Sequence, residues 1–221
     1  MTRPHEEQCE LLIIGGGVMG LAAAWAASKK NNTKVCLLER GQMGHTAGSS
    51  HGRVRIARST YADPGYVRLM TRARKTGWAP LEKTLSRALI RPVPGCIFGP
   101  QYGLVDTYRT GVEKGGVSVS SLNARAARHA FPGLSLQGKT VLSDPTVGII
   151  DAEAAREGFR HLAVANGVQI IPETPVVAIT PAKGHVYVQT ENMGYLAERI
   201  IVTAGSWTGR SVPELHERLM V

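Results

Sequence analysis

The sequence has no apolar run near the roughly 18 residues a membrane helix needs. The longest candidate, around Leu11 to Ile14, is cut at once by glycines, so a membrane span is excluded. Cysteines are few: Cys9, Cys36 and Cys96 are odd in number, widely spaced and form no C-x-x-C pair. That pattern argues against a disulfide framework and against a zinc site. There is no G-x-S-x-G elbow, no H-E-x-x-H and no other metal-ligand spacing, so hydrolase and metalloenzyme readings find no support. Residues 1–10 carry three acids and a proline but no apolar stretch, which reads as an untargeted leader and implies a cytoplasmic location. Aromatics make up only 5%. A nucleic-acid reader would want them interleaved with its basic residues, so no nucleic-acid partner is expected.

What is present is a globular composition. The 221 residues are 43% hydrophobic and include 25 glycines, enough for one large or two small domains with a core of their own. The net charge of +9 is concentrated. Residues 40–91 hold nine arginines and two lysines against only Asp63 and Glu82. An anionic small molecule suits such a cluster.

The chain opens with Glu10-Leu-Leu-Ile-Ile14, a short buried strand ending at Gly15. A helix rich in small residues over 18–30 follows, then a second buried strand over 34–39. This β-turn-α-β unit implies an α/β fold with a parallel sheet and a right-handed crossover. Residues 41–52 read as a long polar loop, and residues 66–88 as helical with a break at Pro80. From residue 89 glycines and prolines multiply between short β-rich pieces such as Gly95–Gly99. Asn123 can cap a helix to about Phe131, and Asp151 one that stops at Asn166-Gly167 and lays its apolar face on a sheet. Strands are expected at 168–171, 176–179, 186–189 and 199–203, returning to the first sheet.

The turn Gly15-Gly-Gly17-Val-Met-Gly20 is a G-x-G-x-x-G between strand and helix, with an acid, Glu39, at the end of the next strand. Gly15 permits the turn, Gly17 lets the backbone approach a pyrophosphate at the helix N-terminus, and Gly20 lets helix and strand pack closely. Glu39 is placed to accept adenosine ribose hydroxyls. It would repel a 2′-phosphate despite the neighbouring Arg40, which disfavours NADP. The turn alone does not separate NAD from FAD, since both present the same ADP.

The segment from Ser49 to Tyr61, Ser-Ser-His-Gly-Arg-Val-Arg-Ile-Ala-Arg-Ser-Thr-Tyr, resembles the loop after the second strand in the monomeric sarcosine oxidase and pipecolate oxidase family of FAD-dependent amine oxidases, within the D-amino-acid oxidase-like superfamily. Further similarities are Gly77 to Glu82, Phe98 to Pro100, Asp144 to Ile150 and Val202 to Trp207. The resemblance implies a Rossmann-like FAD-binding domain plus part of a mixed α/β substrate domain. It divides the chain into a first FAD segment (1–88), a partial substrate domain (89–148), a second FAD segment (149–213) and the start of a second substrate segment (214–221). FAD would be held by Gly15, Gly17, Val18, Met19, Gly20, Glu39, Arg40, Ser49, Ser50, His51, Arg55, Val176, Ala204, Gly205 and Trp207. His51 and Arg55 would lie near the isoalloxazine, where a cation stabilises reduced flavin. Arg58 would hold the substrate carboxylate with its planar fork. His51, Arg55 and Arg58 are thus the candidate catalytic residues.

Members of that family are usually longer. The oxygen-activating lysine, the flavin-linking cysteine and the final strand of the cofactor sheet lie beyond the stretch this chain matches, and an unpaired sheet edge is expected. No C-terminal peroxisomal address is present. The implied activity is oxidation of a secondary or N-methyl amino acid, sarcosine- or pipecolate-like, with oxygen reduced to hydrogen peroxide. The alternative is a truncated, non-catalytic FAD- or nucleotide-binding fragment. The expected partners are a small amino acid and oxygen, with no membrane; the sequence leaves the oligomeric state open.

Overall fold

The structure, a computed structural model, describes residues 6–30, 33–100 and 102–218. The first five residues of the expected leader and Leu219 to Val221 of the expected final segment lie outside them. The chain forms two compact units, residues 1–53 with 152–221, and residues 54–151.

In chain order, the first unit begins with β1 (Glu6–Ile14), α1 (Val18–Ser28) and β2 (Val35–Leu38). The second unit runs β3 (Val54–Ala57), α2 (Pro64–Ala73), a π-helical turn (Arg74–Trp78), α3 (Ala79–Leu85), β4 (Ile90–Pro92) and β5 (Gly95–Gly99). It continues with α4 (Leu104–Lys114), β6 (Ser120–Leu122), α5 (Ala124–Ala130), β7 (Thr140–Asp144) and β8 (Gly148–Asp151). The first unit resumes with α6 (Ala152–Ala165), β9 (Gln169–Ile171), β10 (Val176–Ala182), β11 (His185–Thr190), β12 (Gly194–Val202) and α7 (Thr208–Ser211).

The first unit is built on a six-stranded sheet in the order β10-β11-β12-β1-β2-β9. β1 pairs in parallel with β12 and with β2, and β2 with β9, while β11 pairs antiparallel with both β10 and β12. Parallel partners on both sides explain why Leu12, Ile13, Leu37 and Leu38 are all apolar and almost fully buried. β1 starts earlier than its apolar run because Glu6 to Cys9 already pair with Gly194 to Ala197. The core around Leu12, Cys36, Val188 and Tyr195 holds two thiols in contact. Hydrogen bonding to Cys36 and burial raise the Cys9 thiol far above its ordinary range, whereas the same hydrogen bond lowers Cys36. Burial also raises the Tyr195 hydroxyl.

The expected second helix of the sheet layer is α6, and Gly167 beyond it adopts φ +86° as an αL stop. Its apolar face meets α1, where Phe159 and Trp25 pack with ring centroids 5.6 Å apart. The sequence pattern showed that face but not its partner, for which a sheet was expected.

The second unit contains two three-stranded antiparallel sheets, β3-β8-β4 and β5-β7-β6. Because β3 pairs with β8, residues 54–88 belong to this unit, and the division falls at 53/54 where a composition shift placed it at 88/89. The return falls at 151/152 where 148/149 was expected. Asp63 caps α2, accepting from the Gly65 amide at 2.6 Å, with Pro64 in the first turn. Pro80 does not break the helical run; it sits in the first turn of α3, immediately after the π turn. Asn123 caps α5 as expected, accepting from the Ala126 amide at 2.9 Å. Among the described residues no helix is long and apolar enough to cross a membrane.

Candidate functional site

The first unit opens at the C-terminal ends of β1, β2 and β12 into a cavity of about 900 Å³. That volume stands at the upper end of small-molecule pockets. One wall is the glycine turn. Gly15 has φ +108°, and a Cβ there would lie 2.5 Å from the Thr203 carbonyl oxygen. The Thr203 hydroxyl donates to the carbonyls of Ile14 (3.0 Å) and Gly15 (2.9 Å), tying the turn to the end of β12. A Cβ on Gly17 would meet Ser50 Oγ at 2.9 Å, and one on Gly20 would overlap the Gly15 carbonyl oxygen. A side chain at any of the three would therefore collide with the turn, with Thr203 or with Ser50.

Ser50 Oγ accepts the Val18 amide at 3.0 Å and so caps the start of α1 from a distant loop. The hydroxyl proton of Ser50 remains available to donate. A helix leaves its first N–H groups without intrahelical acceptors, which puts amides of the α1 first turn at the ligand's disposal.

Glu39 ends β2 and is buried at the cavity wall. Its Oε2 accepts the Gly16 amide at 2.7 Å, and its Oε1 accepts the Gly41 amide at 3.0 Å. His45 Nε2 lies 3.1 Å from the same Oε1. Glu39 thus also braces the turn and the following loop. It is the one acid among the described residues lining the cavity, which also presents Arg40, Arg156 and Arg210. A single acid among three guanidinium groups favours an anion such as a diphosphate.

Of the residues implied by the sequence, Gly15, Gly17, Val18, Met19, Glu39, Arg40, Ser49, Ser50 and His51 line this cavity. So do Val176, Ala204, Gly205 and Trp207 from the second half of the unit. Trp207 carries the Arg40 guanidinium 4.6 Å above its ring. Gly20 lies beneath the turn and is buried, not part of the lining. His51 Nδ1 donates to the Gly48 carbonyl at 2.5 Å. Arg55 and Arg58 are not in the lining; both belong to the second unit. Arg55 sits exposed on β3, donating to the Val54 carbonyl at 2.7 Å. Arg58 lies over the Tyr61 and Tyr108 rings, 5.0 and 5.8 Å from their centroids.

Sequence reasoning missed His45, Arg156 and Thr203. His45 sat in a polar loop with no recognisable spacing, and Arg156 in what reads as the solvated side of a helix. The Arg156 side chain is only 12% exposed, and its Nε is buried with no hydrogen-bond partner.

The residues present fit FAD: a turn cleared of side chains, amides at a helix start, hydroxyls at 49 and 50, an acid on β2 and three cations surround one cavity. Comparison with known proteins agrees. The chain is 26% identical over 211 residues to the monomeric sarcosine oxidase of Bacillus sp. (strain B-0618), covering 94% of this chain and 54% of that protein. It is 29% identical over 203 residues to the peroxisomal sarcosine oxidase of Mus musculus, covering 91% and 51%. The chain spans about half the length of these curated relatives. Among solved structures it shares the fold of NikD, an unusual amino acid oxidase essential for nikkomycin biosynthesis, with TM-score 0.82, 24% identity and coverage of 95% and 54%. L-proline dehydrogenase from P. horikoshii superposes with TM-score 0.81 at 19% identity, covering 98% and 58%. The profile of the family described as FAD dependent oxidoreductase matches residues 10–221, and the chain belongs to that family.

Proposed function

We propose that this chain carries the FAD-binding part, and a portion of the substrate-binding part, of an oxidase acting on a secondary or N-methyl amino acid. The observation that carries the reading is the cavity of about 900 Å³ whose wall is the glycine turn and whose single acid is Glu39. When bound, FAD would supply the acceptor for a hydride from the carbon beside the substrate nitrogen, with oxygen as the final two-electron acceptor giving hydrogen peroxide.

The chain's own residues do the rest by binding and orienting. Residues 1–53 and 152–221 form the cofactor unit. There the α1 amides and Ser50 hold the diphosphate, and Glu39 takes the ribose. Val176 would meet the adenine with its backbone, the small Ala204-Gly205 pair would let the chain pass close to the cofactor, and Arg40, stacked on Trp207, lines the same cavity. By the resemblance of their loop, His51 and Arg55 would attend the isoalloxazine of bound FAD, where a cation would favour the reduced form. Arg58 orients the substrate carboxylate. Its guanidinium lies within cation–π range of the Tyr61 and Tyr108 rings, which limits where its planar fork can go.

The test is the visible spectrum of the protein purified with excess FAD and desalted, followed by peroxide assay with sarcosine and pipecolate. Retained flavin bands with peroxide formation support the oxidase. Retained flavin without peroxide supports a nucleotide-binding chain without turnover. Absence of flavin refutes both readings.

A further inference from the structure

His45 is the side chain at the cavity wall whose contacts are fully specified yet unused by the reading above. Its ring rests against Gly41, where a Cβ would lie 3.1 Å from His45 Cδ2. Its Nδ1 lies 3.1 Å from the Ala47 amide nitrogen. A backbone N–H can only donate, so Nδ1 is the acceptor and the ring proton stands on Nε2. That proton points at Glu39 Oε1, 3.1 Å away. One tautomer satisfies both contacts, and the loop backbone selects it.

The consequence falls on Glu39. Its backbone is already fixed: the amide donates to the Ile171 carbonyl at 2.9 Å, and the carbonyl accepts the Thr174 amide at 2.8 Å. A carboxylate offers about four acceptor positions, two on each oxygen. Oε1 is filled by the Gly41 amide and His45, and Oε2 is half filled by the Gly16 amide. One acceptor position remains, and it is on Oε2, the oxygen bonded to the glycine turn.

We propose that His45 is a positioning residue for Glu39: by closing Oε1, it leaves Oε2 as the single acceptor for a ribose hydroxyl of the adenine dinucleotide. The proposal rests on the reading of this cavity as the FAD site and adds how its acid is aimed. Without His45, Oε1 keeps only the Gly41 amide. The carboxylate is then free to turn and to satisfy itself with water.

The test measures, by calorimetry on the full chain, the affinities of ADP and of 2′,3′-dideoxy-ADP, whose ratio reports the ribose hydroxyls alone. In the wild-type protein, one hydrogen bond to a carboxylate predicts a ratio of about tenfold or more in favour of ADP. Glu39→Gln should reduce that ratio to within about threefold. His45→Ala should reduce it similarly while leaving the dideoxy-ADP affinity near wild type. His45→Gln, which keeps an N–H near the Nε2 position, should restore most of it.

If His45→Ala retains the wild-type ratio while Glu39→Gln loses it, the positioning role is overturned and the ribose role of Glu39 stands. A His45→Ala variant that weakens both ligands equally assigns His45 to loop architecture and also overturns the proposal. Should Glu39→Gln keep the ratio, the ribose reading fails and this inference fails with it. A measurement independent of variant folding is the 15N-edited NMR spectrum of the wild-type imidazoles. The Nε2–H tautomer is expected for His45, and an Nδ1–H tautomer overturns the assignment.

Discussion

Replacing Gly15 by alanine is expected to destabilise the first unit by two separable effects. The backbone at this position has φ +108°, a region L-residues seldom enter, and holding alanine there costs about 1–2 kcal/mol. The new methyl would also sit 2.5 Å from the Thr203 carbonyl oxygen, 2.8 Å from its carbon and 3.2 Å from the Ala204 nitrogen. These are backbone atoms at the end of a strand buried in pairing with β1, so relief requires moving the turn or the strand. Overpacking of this kind costs about 1–3 kcal/mol. The sum, about 2–5 kcal/mol, is a large share of the roughly 5–15 kcal/mol by which folded domains are stable. Gly167 provides the control within the same unit: it has φ +86°, and a Cβ there would meet no heavy atom within 4 Å. Gly167→Ala should therefore show the backbone cost alone. Urea denaturation followed by circular dichroism measures both variants, and at a slope of about 1–3 kcal/mol per molar the Gly15→Ala midpoint should fall lower than that of Gly167→Ala by about 1 M. Equal midpoints would refute the steric argument and, with it, the claim that the end of β12 dictates a glycine in the turn.

Trp25→Ala should cost about 3–5 kcal/mol, because the indole is buried between α1 and α6 against Phe159; a loss of unfolding free energy under about 1 kcal/mol by urea denaturation would mean the two helices do not depend on it. In the second unit Asp144 is buried and accepts from the Thr60 hydroxyl, the Thr146 hydroxyl and the Thr146 amide. Asp144→Ala strands the fully buried Thr60 hydroxyl and should destabilise by about 2–4 kcal/mol, with Asp144→Asn milder, as read by thermal unfolding. Iodoacetamide should label at most Cys96 in the native protein and all three cysteines in urea, since Cys9 and Cys36 lie in the sheet core; mass spectrometry showing fast native labelling of Cys36 would contradict that packing.

The opening β-turn-α-β was legible because every signal in it is local. Its apolar run, three spaced glycines and alanine-rich helix all fall within the segment they describe. The acid at 39 was legible for its identity but not for its second use, since the donors from Gly41 and His45 depend on how a twelve-residue loop folds back. Helix α4 was not expected from the sequence, and it carries Gly111 in its interior. In the fold a Cβ at that position would crowd the Tyr61 and Ala62 carbonyls, so glycine marks a close crossing and not a helix end. The division of the chain into compact units at 53/54 is not legible locally for a similar reason. A four-residue strand at Val54–Ala57 carries arginine and sits inside a family motif, and only its pairing with β8, far along the chain, assigns it to the second unit. The pairing of Arg58 with Tyr61 and Tyr108 joins residues that no period in the sequence connects.

The parallel pairing of β1 with β12 orders events during synthesis. The Thr203 hydroxyl that ties the glycine turn to the strand end reaches back 189 residues to Ile14. A ribosome adding about 5–20 residues per second completes that distance only after roughly 10–40 s. Through that interval β1 can pair with β2 but keeps its other edge open, and the nucleotide turn lacks its backing. The intervening residues 54–151 contain all the partners of their own two sheets, so they can close while the first unit waits. The cofactor cavity is therefore completed only once residue 203 has been made, and until then the nascent chain exposes an apolar strand edge, the period in which a holding chaperone would matter most.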